Sequence, residues 1–540
     1  MGRPSRFCLA LLCFLVLFGC GGESPSDESQ PTQPSLRLDI VSGSENKGLE
    51  PVVQEFARQR GVEIQMHYLG SVDIALELEK GAAVQYDAVW PANSLWIVLG
   101  DRQKVVQHEK SIMRSPVIFG VKRSVAGNLG WIGRNDIRVE EILEAAEAGR
   151  LRFAMTSATQ SNSGASAYFG FLSAMADSPD VLTEEHLGDE NVRQKVRRLL
   201  ATVDRSSGSS GWLKNMFLER YARFDAMVNY EALVIEANQA LVARGDEPLY
   251  AIYPVDGMTI ADSPLAYVNR GDGAKEALFL ELQEYLLSSE VQGRIGSLGR
   301  RTGILGLDTA RVDPSVFNAQ WGIDVSRVIS PVPVPQEGVI RNALDLYQVA
   351  LRKPSLTAYV LDFSGSMEGE GEEQLKDAMA TLLNVQEARR FLLQPSTDDI
   401  HLVIPFDSMP RRLWEARGND PEDLRVLLNR VLQSDSGGGT NIYAAAGTAI
   451  EVIDQQFGDQ LSGYFPAIIV MSDGRSKGSL QELRTQLQAS ALGFDLPIFS
   501  IAFGDADDSQ LEDISRLTSA RVFDGRKDLV KAFRHAKGYN

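Results

Sequence analysis

Beyond residue 20 the sequence contains no cysteine, since Cys8, Cys13 and Cys20 all lie in the first 20 of its 540 residues. The body of the protein therefore has no disulfide, no thiolate metal site and no thiol nucleophile. Basic charge is also in deficit, with 54 Lys and Arg against 72 Asp and Glu, a net charge of −18. Such a surface repels phosphate backbones, so we predict no nucleic-acid partner.

Sequence motifs for catalysis are missing as well. We find no phosphate-binding P-loop and no GxSxG nucleophile turn. The five histidines are scattered without metal-ligand spacing: His67, His108, His186, His401 and His535. We therefore predict a binding protein and not an enzyme.

The N-terminus has the pattern of an export signal. Two arginines, Arg3 and Arg6, precede a 13-residue apolar run at 7–19, which is too short to cross a bilayer as a mature helix. The run ends in Leu-Phe-Gly-Cys at 17–20, which resembles the lipobox of bacterial lipoproteins. That resemblance implies cleavage after residue 19 and acylation of Cys20. The alternative is an ordinary signal peptide that ends at a cysteine by chance.

The polar stretch that follows suits a surface anchor. Residues 20–35 are rich in Gly, Ser and Pro, as is typical of a flexible tether. Several acyl chains together give durable membrane attachment. We therefore expect a lipid-anchored protein of the cell envelope, outside the cytoplasm. Gly21 after the cysteine favours the outer membrane if the cell is Gram-negative.

A proline-rich stretch divides the remaining chain. Alternating prolines at 331–335 favour an extended spacer, and the apolar spacing that follows predicts a short amphipathic helix. We place a hinge at 329–354 between two globular regions, 36–328 and 355–540. Within the first region we expect one lobe from about 36–110 and 252–328, and a second lobe from about 111–251.

The C-terminal region alternates apolar strands with helices. Strand patterns begin near residues 357, 400, 465, 497 and 521, and helical patterns lie between them. Continuous apolar strands separated by helices predict a doubly wound α/β fold with a mainly parallel sheet. In such folds functional residues gather at the carboxyl ends of the strands.

Three turns at predicted strand or helix ends carry oxygen donors. Asp362, Ser364 and Ser366 share the segment DFSGS, Thr440 lies in GGGTNI, and Asp473 lies in MSDG. Two carboxylates and three hydroxyls form an all-oxygen donor set, which suits Mg²⁺ or Mn²⁺. The alternative is that the aspartates are caps and the serines are turn formers.

These three segments resemble the metal-ion-dependent adhesion site of the von Willebrand factor type A (VWA) family. The resemblance covers about 355–540 and implies that the five residues hold the ion, directly or through water. It also implies an open coordination position for a carboxylate of a protein partner. Glu368 or Glu370, just after the motif, would close the site if it supplied that ligand instead.

The N-terminal region opens with a βαβαβ order and has small polar residues where helices begin. Ser44, Ser71 and Ser163 are candidates for an anion or solute site, because backbone N–H groups are free at helix starts. Each of them, taken singly, is also an ordinary N-cap residue.

Several of its segments together, among them SGSENK, YLGSVDIALEL and SATQSNSGASA, resemble solute-binding proteins of the second, crossed-over type. The resemblance implies two lobes with a ligand cleft between them, and it places Tyr230 and Asp256 along that cleft. Tyr230 is otherwise a core aromatic and Asp256 a turn residue.

We therefore predict a non-enzymatic, membrane-anchored binding protein. Its VWA domain docks a protein partner through the metal, and its cleft binds or senses a small solute, such as an oxyanion. The alternative is the substrate-binding receptor of an ABC-type transporter, with the VWA domain as an assembly module. A scaffold that docks an ATPase, as in chelatases, conflicts with export. A further alternative is a cleft that no longer binds and serves only as a rigid platform.

Overall fold

Two sheets form the N-terminal region of the computed structural model, which describes residues 36–303, 312–325, 331–473 and 475–538. The predicted signal peptide, Cys20 and the tether lie outside the described residues. The strands of this region are β1 Arg37–Ser42, β2 Glu63–Tyr68, β3 Ala88–Trp90, β4 Val106–Ser111, β5 Ser115–Lys122, β6 Phe153–Thr156, β7 Val203–Ser207, β8 Ala226–Tyr230, β9 Leu249–Ile252, β10 Ile260–Ala261 and β11 Pro264–Val268.

Twelve helices cover these two sheets within the described residues. They are α1 Glu50–Arg60, α2 Ser71–Leu78, α3 Leu95–Gly100, α4 Arg123–Asn128, α5 Val139–Glu147, α6 Asn162–Met175, α7 Glu184–Gly188, α8 Glu190–Ala201, α9 Ser210–Glu219, α10 Glu231–Ala243, α11 Gly273–Leu287 and α12 Ser289–Ser297. A 3₁₀ turn, Ser44–Leu49, precedes α1.

The two sheets define two lobes. Lobe 1 has the strand order β2-β1-β3-β11-β4, and lobe 2 has the order β10-β5-β8-β6-β7, with β9 also paired to β5. The chain enters lobe 2 at β5 and returns to lobe 1 at β11. In lobe 1, β1 pairs in parallel with both β2 and β3, because a helix connects each successive strand to the next. The starts of α2, α6 and α9 meet at the cleft between the lobes.

The segment after the prolines packs as a helix on lobe 2. Helix α13 Glu337–Leu346 continues into a single π-helical turn, Tyr347–Leu351. Ile340, Leu344 and Tyr347 are buried in the same apolar core as helices α5, α6 and α8 of lobe 2. The Tyr168 hydroxyl also donates a hydrogen bond to the Ala343 carbonyl at 2.8 Å. The predicted amphipathic helix is therefore present, with its apolar side against lobe 2.

One six-stranded sheet forms the C-terminal region, with strand order β14-β13-β12-β15-β16-β17. All its strand pairs are parallel except the edge pair of β13 and β14. The strands are β12 Ser355–Asp362, β13 Ile400–Phe406, β14 Trp414–Arg417, β15 Phe465–Ser472, β16 Ile498–Ala502 and β17 Val522–Asp524. The helices are α14 Glu370–Leu383, α15 Val385–Arg390, α16 Pro421–Leu432, α17 Ile442–Phe457, α18 Leu480–Ala489, α19 Asp508–Leu517 and α20 Leu529–Gly538.

Separate apolar clusters cover the two faces of this sheet. One lies under α14, α16 and α20, and the other lies under α17, α18 and α19. Burial on both faces explains why β12, β13 and β15 are apolar along almost their whole length. The predicted fold class, a two-lobed α/β region followed by a doubly wound domain with a mainly parallel sheet, is confirmed.

The C-terminal region contacts the N-terminal lobes through charged and apolar groups. Asp495, in the turn before β16, forms ion pairs with Arg220 at 2.6 Å and Arg223 at 2.9 Å in lobe 2. On another side of the domain, Asp73 of α2 pairs with Arg534 and His535 of α20. The two regions are therefore joined through both lobes as well as through α13.

Candidate functional site

The predicted metal ligands lie at the carboxyl end of the C-terminal sheet. Asp362 is the last residue of β12, and Asp473 follows β15, which is the parallel neighbour of β12 in the sheet. Parallel neighbours end at the same edge, so the two aspartates lie side by side. Ser364 and Ser366 belong to the turn that leaves β12.

Hydrogen bonds connect four of these residues into one cluster. The Ser366 hydroxyl donates to Asp473 Oδ1 at 2.9 Å, and its oxygen is 3.2 Å from the Ser364 hydroxyl. The Ser364 backbone N–H donates to Asp362 Oδ1 at 2.8 Å. The spacing of two residues between Asp362, Ser364 and Ser366 thus directs all three side chains to one point.

Backbone hydrogen bonds hold the third segment, which contains Thr440, against the turn that leaves β12. The Gly365 N–H donates to the Gly438 carbonyl at 3.0 Å, and the Gly437 N–H donates to the Phe363 carbonyl at 2.9 Å. Gly438 has a φ of +82°, which favours glycine at this position. Thr440, two residues further along the chain, is buried. Residues from three separate segments therefore converge at one edge of the sheet.

The charge balance of the cluster favours a bound cation. Burial raises the pKa of Asp362 to about 6, and the nearby charge of Asp473 adds to this effect. Burial also raises the pKa of Asp473. Within the described residues, neither carboxylate forms an ion pair with Lys, Arg or His. Two carboxylates without a cationic side chain, beside three hydroxyls, are the donors that a hard divalent ion prefers.

Carboxylates alone do not make this site. Among the described residues, no group of three or more His, Cys, Asp or Glu side chains could hold a metal ion. Ion binding here would therefore depend on the serine and threonine hydroxyls in addition to the two aspartates.

The two acids that follow the motif, Glu368 and Glu370, form no hydrogen bond with the five predicted ligands among the described residues. Glu370 begins α14 and accepts a hydrogen bond from Gln374, one turn further along the same helix, at 2.9 Å. Glu368 is exposed. Ser366 is also exposed, so the cluster opens to solvent on the side of this serine.

Two serines that were not predicted from the sequence also support the cluster. Ser472 donates to Asp362 Oδ2 at 2.6 Å, and Ser408 accepts a hydrogen bond from the Gly439 N–H at 2.8 Å. Both lie at or just after the carboxyl end of a strand that neighbours β12. Their position at strand ends was visible in the sequence and could have identified them.

The cleft between the lobes contains a cavity of about 130 Å³, here called the cleft cavity. Ser44 and Ser71 of lobe 1 line it, and Ser209 of lobe 2 lies opposite. The Ser44 and Ser209 hydroxyl oxygens are 3.0 Å apart, so the two lobes touch at this point. Two of the three predicted serines therefore face the cavity.

The third predicted serine, Ser163, and Tyr230 lie in the interior of lobe 2. The fully buried Ser163 hydroxyl is 2.8 Å from the Thr156 hydroxyl and 2.7 Å from the Ser210 hydroxyl. The hydroxyl of Tyr230, which is 1% exposed, accepts a hydrogen bond from the Asn162 amide at 3.0 Å. In this structure both residues support the cleft from within lobe 2.

Asp256 is not brought to the cleft cavity. Its Oδ1 accepts a hydrogen bond from the Val139 N–H at 3.0 Å, at the start of α5, and Arg138 lies beside its carboxylate. The structure thus gives this residue the role of a helix-capping side chain.

Three residues that were not predicted from the sequence also line the cleft cavity. Gln160 and Ser161 precede α6, and Glu45 lies in the 3₁₀ turn beside Ser44. Burial raises the pKa of Glu45 to about 7, while the charge of Arg300 opposes this shift. Their proximity to predicted helix starts was the only sequence indication of a role.

Within the described ranges, no helix is both long enough and apolar enough to cross a bilayer.

Two family models match separate parts of the chain. Residues 38–301 match the model described as bacterial extracellular solute-binding protein, and residues 358–529 match the von Willebrand factor type A domain. The chain therefore contains a solute-binding-type region followed by a VWA-type domain.

Individual proteins are similar to parts of the chain. Bovine (Bos taurus) inter-alpha-trypsin inhibitor heavy chain H1 is 26% identical over 170 residues, which are 30% of this chain and only 18% of that protein. A ferric binding protein from Campylobacter jejuni covers 57% of this chain and 98% of its own, at 13% identity and a TM-score of 0.41. A von Willebrand factor type A structure from Catenulispora acidiphila covers 35% of this chain and 43% of its own, at 16% identity and a TM-score of 0.28.

Proposed function

We propose that this protein is a non-enzymatic, extracytoplasmic binding protein that uses a divalent metal in its VWA domain to hold a protein partner. One observation carries the proposal. Three separate turns bring neighbouring hydroxyls and two carboxylates, which form no ion pair among the described residues, to a solvent-facing edge of the sheet. Asp362, Ser364, Ser366, Thr440 and Asp473 would hold Mg²⁺ or Mn²⁺. The ion would supply a positive charge that attracts one more anionic ligand.

The position of the cluster supports an external partner. Contacts with the N-terminal lobes are made by the turn before β16, by β17 and by α20. The cluster instead lies at the carboxyl ends of β12 and β15. A partner that approaches this edge therefore does not compete with the lobes of the same chain.

Magnesium should stabilise the full-length protein, and Asp362→Ala should remove that effect. At a Mg²⁺ concentration about 100 times the Kd, binding to the folded state adds about 2.7 kcal/mol to the free energy of unfolding. Thermal unfolding with Mg²⁺ and with EDTA measures the difference. Asp377→Ala, at an exposed position of α14, is the matched control and should retain the full response. An equal response in Asp362→Ala would show that the ion binds elsewhere.

An open coordination position predicts that a small carboxylate increases the affinity for Mg²⁺. Acetate would occupy the place of the partner's acid, and binding linkage requires that each ligand then strengthen the other. Titration of Mg²⁺ in the presence of acetate should give a lower apparent Kd than titration with acetamide, which is neutral and of similar shape. Equal Kd values with both additives would mean that the site is closed by a ligand of its own chain.

We further propose that Cys20 carries acyl chains that attach the protein to a membrane, with the outer membrane favoured in a Gram-negative cell. The support is the lipobox-like end of the apolar run and the polar tether after it. Cys20→Ser should move the protein from the membrane fraction to the soluble fraction, as measured by fractionation and immunoblotting. Continued membrane association of this variant in the presence of EDTA would contradict the anchor.

The last part of the proposal concerns the cleft between the lobes. We propose that it binds a small solute whose polar atoms meet Ser44 and Ser71 and the helix starts beside them. The support is the cleft cavity, which both lobes line with hydroxyl groups. Ser71→Ala should weaken binding of such a solute in calorimetric titration. Unchanged binding would place the solute site elsewhere.

A further inference from the structure

The cleft cavity has a wall that neither lobe provides. Besides residues of both lobes, it is lined by Arg521, Phe523 and His535 of the VWA domain. Phe523 belongs to the edge strand β17, and His535 belongs to α20. The Arg521 guanidinium lies 4.9 Å from the centre of the Phe523 ring. A domain more than 300 residues away in sequence thus covers part of the solute cleft.

Ion pairs hold this wall in place. Asp73 of α2, which is 6% exposed, lies between Arg534 and His535, and its Oδ2 is 2.6 Å from His535 Nε2. Although burial by itself raises the pKa of Asp73, these two neighbours outweigh it and hold that pKa well below its usual range. The Asp73 carboxylate is therefore charged and paired with the VWA domain. Removal of the wall would leave it buried without a partner.

Several donors and two cations face the cleft cavity. Backbone N–H groups at the starts of α2, α6 and α9 meet there, and Lys47 and Arg521 add positive charge. Gln160 lines the cavity and is only 5% exposed, and its amide nitrogen has no hydrogen-bond partner among the described residues. A buried donor left unpaired is costly, so its presence indicates an acceptor that binds in the cavity.

Acidic groups do not cancel this preference. The Asp73 charge is neutralised by the VWA domain, as described above. Glu45 Oε1 is also buried without a hydrogen-bond partner among the described residues, and burial raises the pKa of Glu45 to about 7. Below that pH its carboxyl is mainly protonated and is a further donor. A site rich in donors, with two cations and its acids neutralised, favours an anion with several oxygen atoms.

We propose that the VWA domain forms the third wall of the solute site and that the site binds a small oxyanion between this wall and the two lobes. This inference rests on the proposed solute-binding function of the cleft. The cavity of about 130 Å³ limits the size of the ligand, since a cavity of about 150 Å³ holds benzene. The ligand touches both regions, and its binding therefore strengthens the docking of the VWA domain on the lobes.

Removal of the Arg521 charge tests the wall directly. Full-length protein is titrated with inorganic phosphate, sulfate and molybdate at constant ionic strength, by calorimetry and thermal unfolding. We expect at least one of these ions to bind, and Arg521→Ala to weaken that binding by about tenfold through loss of a charge-assisted hydrogen bond. The matched control is Arg516→Ala on α19, which removes an equal charge from a residue that pairs only with its own helix. This control should bind as the unchanged protein does.

A lobe variant separates this inference from the function on which it rests. If Ser71→Ala weakens binding and Arg521→Ala does not, the cleft binds the ion but the VWA wall takes no part, and the inference is overturned. If none of the three anions binds to the unchanged protein, the oxyanion class is wrong.

A retained stabilisation by Mg²⁺ would show that the Arg521→Ala variant is still folded. Arg521→Gln is a second variant that removes the charge but keeps a larger side chain. Hydrogen exchange at 521–538 gives an independent readout, because the bound ion should slow it in the unchanged protein. Unchanged exchange would contradict the linkage between ligand and docking.

Discussion

Replacing Asp399 with alanine should lower the free energy of unfolding by about 3–5 kcal/mol, the cost of breaking a buried ion pair. Asp399 precedes β13, is fully buried and accepts two hydrogen bonds from the Arg352 guanidinium, at 2.9 and 2.5 Å. It also accepts the Ser355 N–H at 2.8 Å and the Ser396 N–H at 3.0 Å. Without the carboxylate, Arg352 remains buried with no counter-charge. Urea unfolding measures the change.

Asp398→Ala is the matched control for this prediction. Asp398 is the exposed neighbour of Asp399 in the sequence, so its loss should change the stability by less than about 0.5 kcal/mol. A similar, small loss in both variants would contradict the importance of the buried pair.

The same ion pair should make stability depend on pH in the acid range. Burial alone raises the pKa of Asp399, but the charge and hydrogen bonds of Arg352 outweigh it and hold the pKa well below its usual range. A lowered folded-state pKa means that the stabilisation is complete above the unfolded-state pKa of about 4 and is lost as the pH falls below it. The difference between Asp399→Ala and the unchanged protein should therefore shrink below about pH 4.

Glu231→Ala should cost a similar amount, about 3–5 kcal/mol, and should act on the junction of the two lobes. Glu231 begins α10 in lobe 2 and is fully buried. Arg301, just after α12 of lobe 1, donates to both of its carboxylate oxygens at 2.8 Å. The Tyr253 hydroxyl also donates to it. Alanine would leave the buried Arg301 guanidinium without its counter-charge and would remove one acceptor of the Tyr253 hydroxyl.

Two further variants serve as comparisons for Glu231→Ala. Glu231→Gln keeps the shape and part of the hydrogen bonding, so its loss of stability should be smaller than that of the alanine variant. Glu144→Ala, on the exposed side of α5, should be nearly neutral in the same urea experiment. If Glu231→Gln is as damaging as Glu231→Ala, the shape and hydrogen bonds of the side chain contribute nothing beyond its charge.

The sequence predicts five of the six strands of the C-terminal sheet and misses the edge strand β14. Strands β12, β13 and β15 are buried on both faces, so their continuous apolar runs are easily recognised. Strand β14 is short, antiparallel and at the sheet edge, and no strand was predicted there. Short edge strands with one exposed side carry little apolar pattern.

The proposed metal site and the cleft differ in how far local sequence predicts them. Three of the five proposed ligands lie within five residues, so their spacing alone directs them to one point. In the cleft, residue type and helix starts indicate Ser44 and Ser71, but they do not show that Ser163 faces inward. The position of Arg521 at the cleft cavity comes from packing between distant segments, which leaves no local pattern in the sequence.

The burial of α13 against lobe 2 has a practical consequence for dissecting the chain. A cut at the prolines would strip Ile340, Leu344 and Tyr347 from the core of lobe 2 and leave an apolar trough on its surface. An N-terminal fragment that ends there should self-associate. A fragment that ends near residue 352 would keep this helix and should self-associate less.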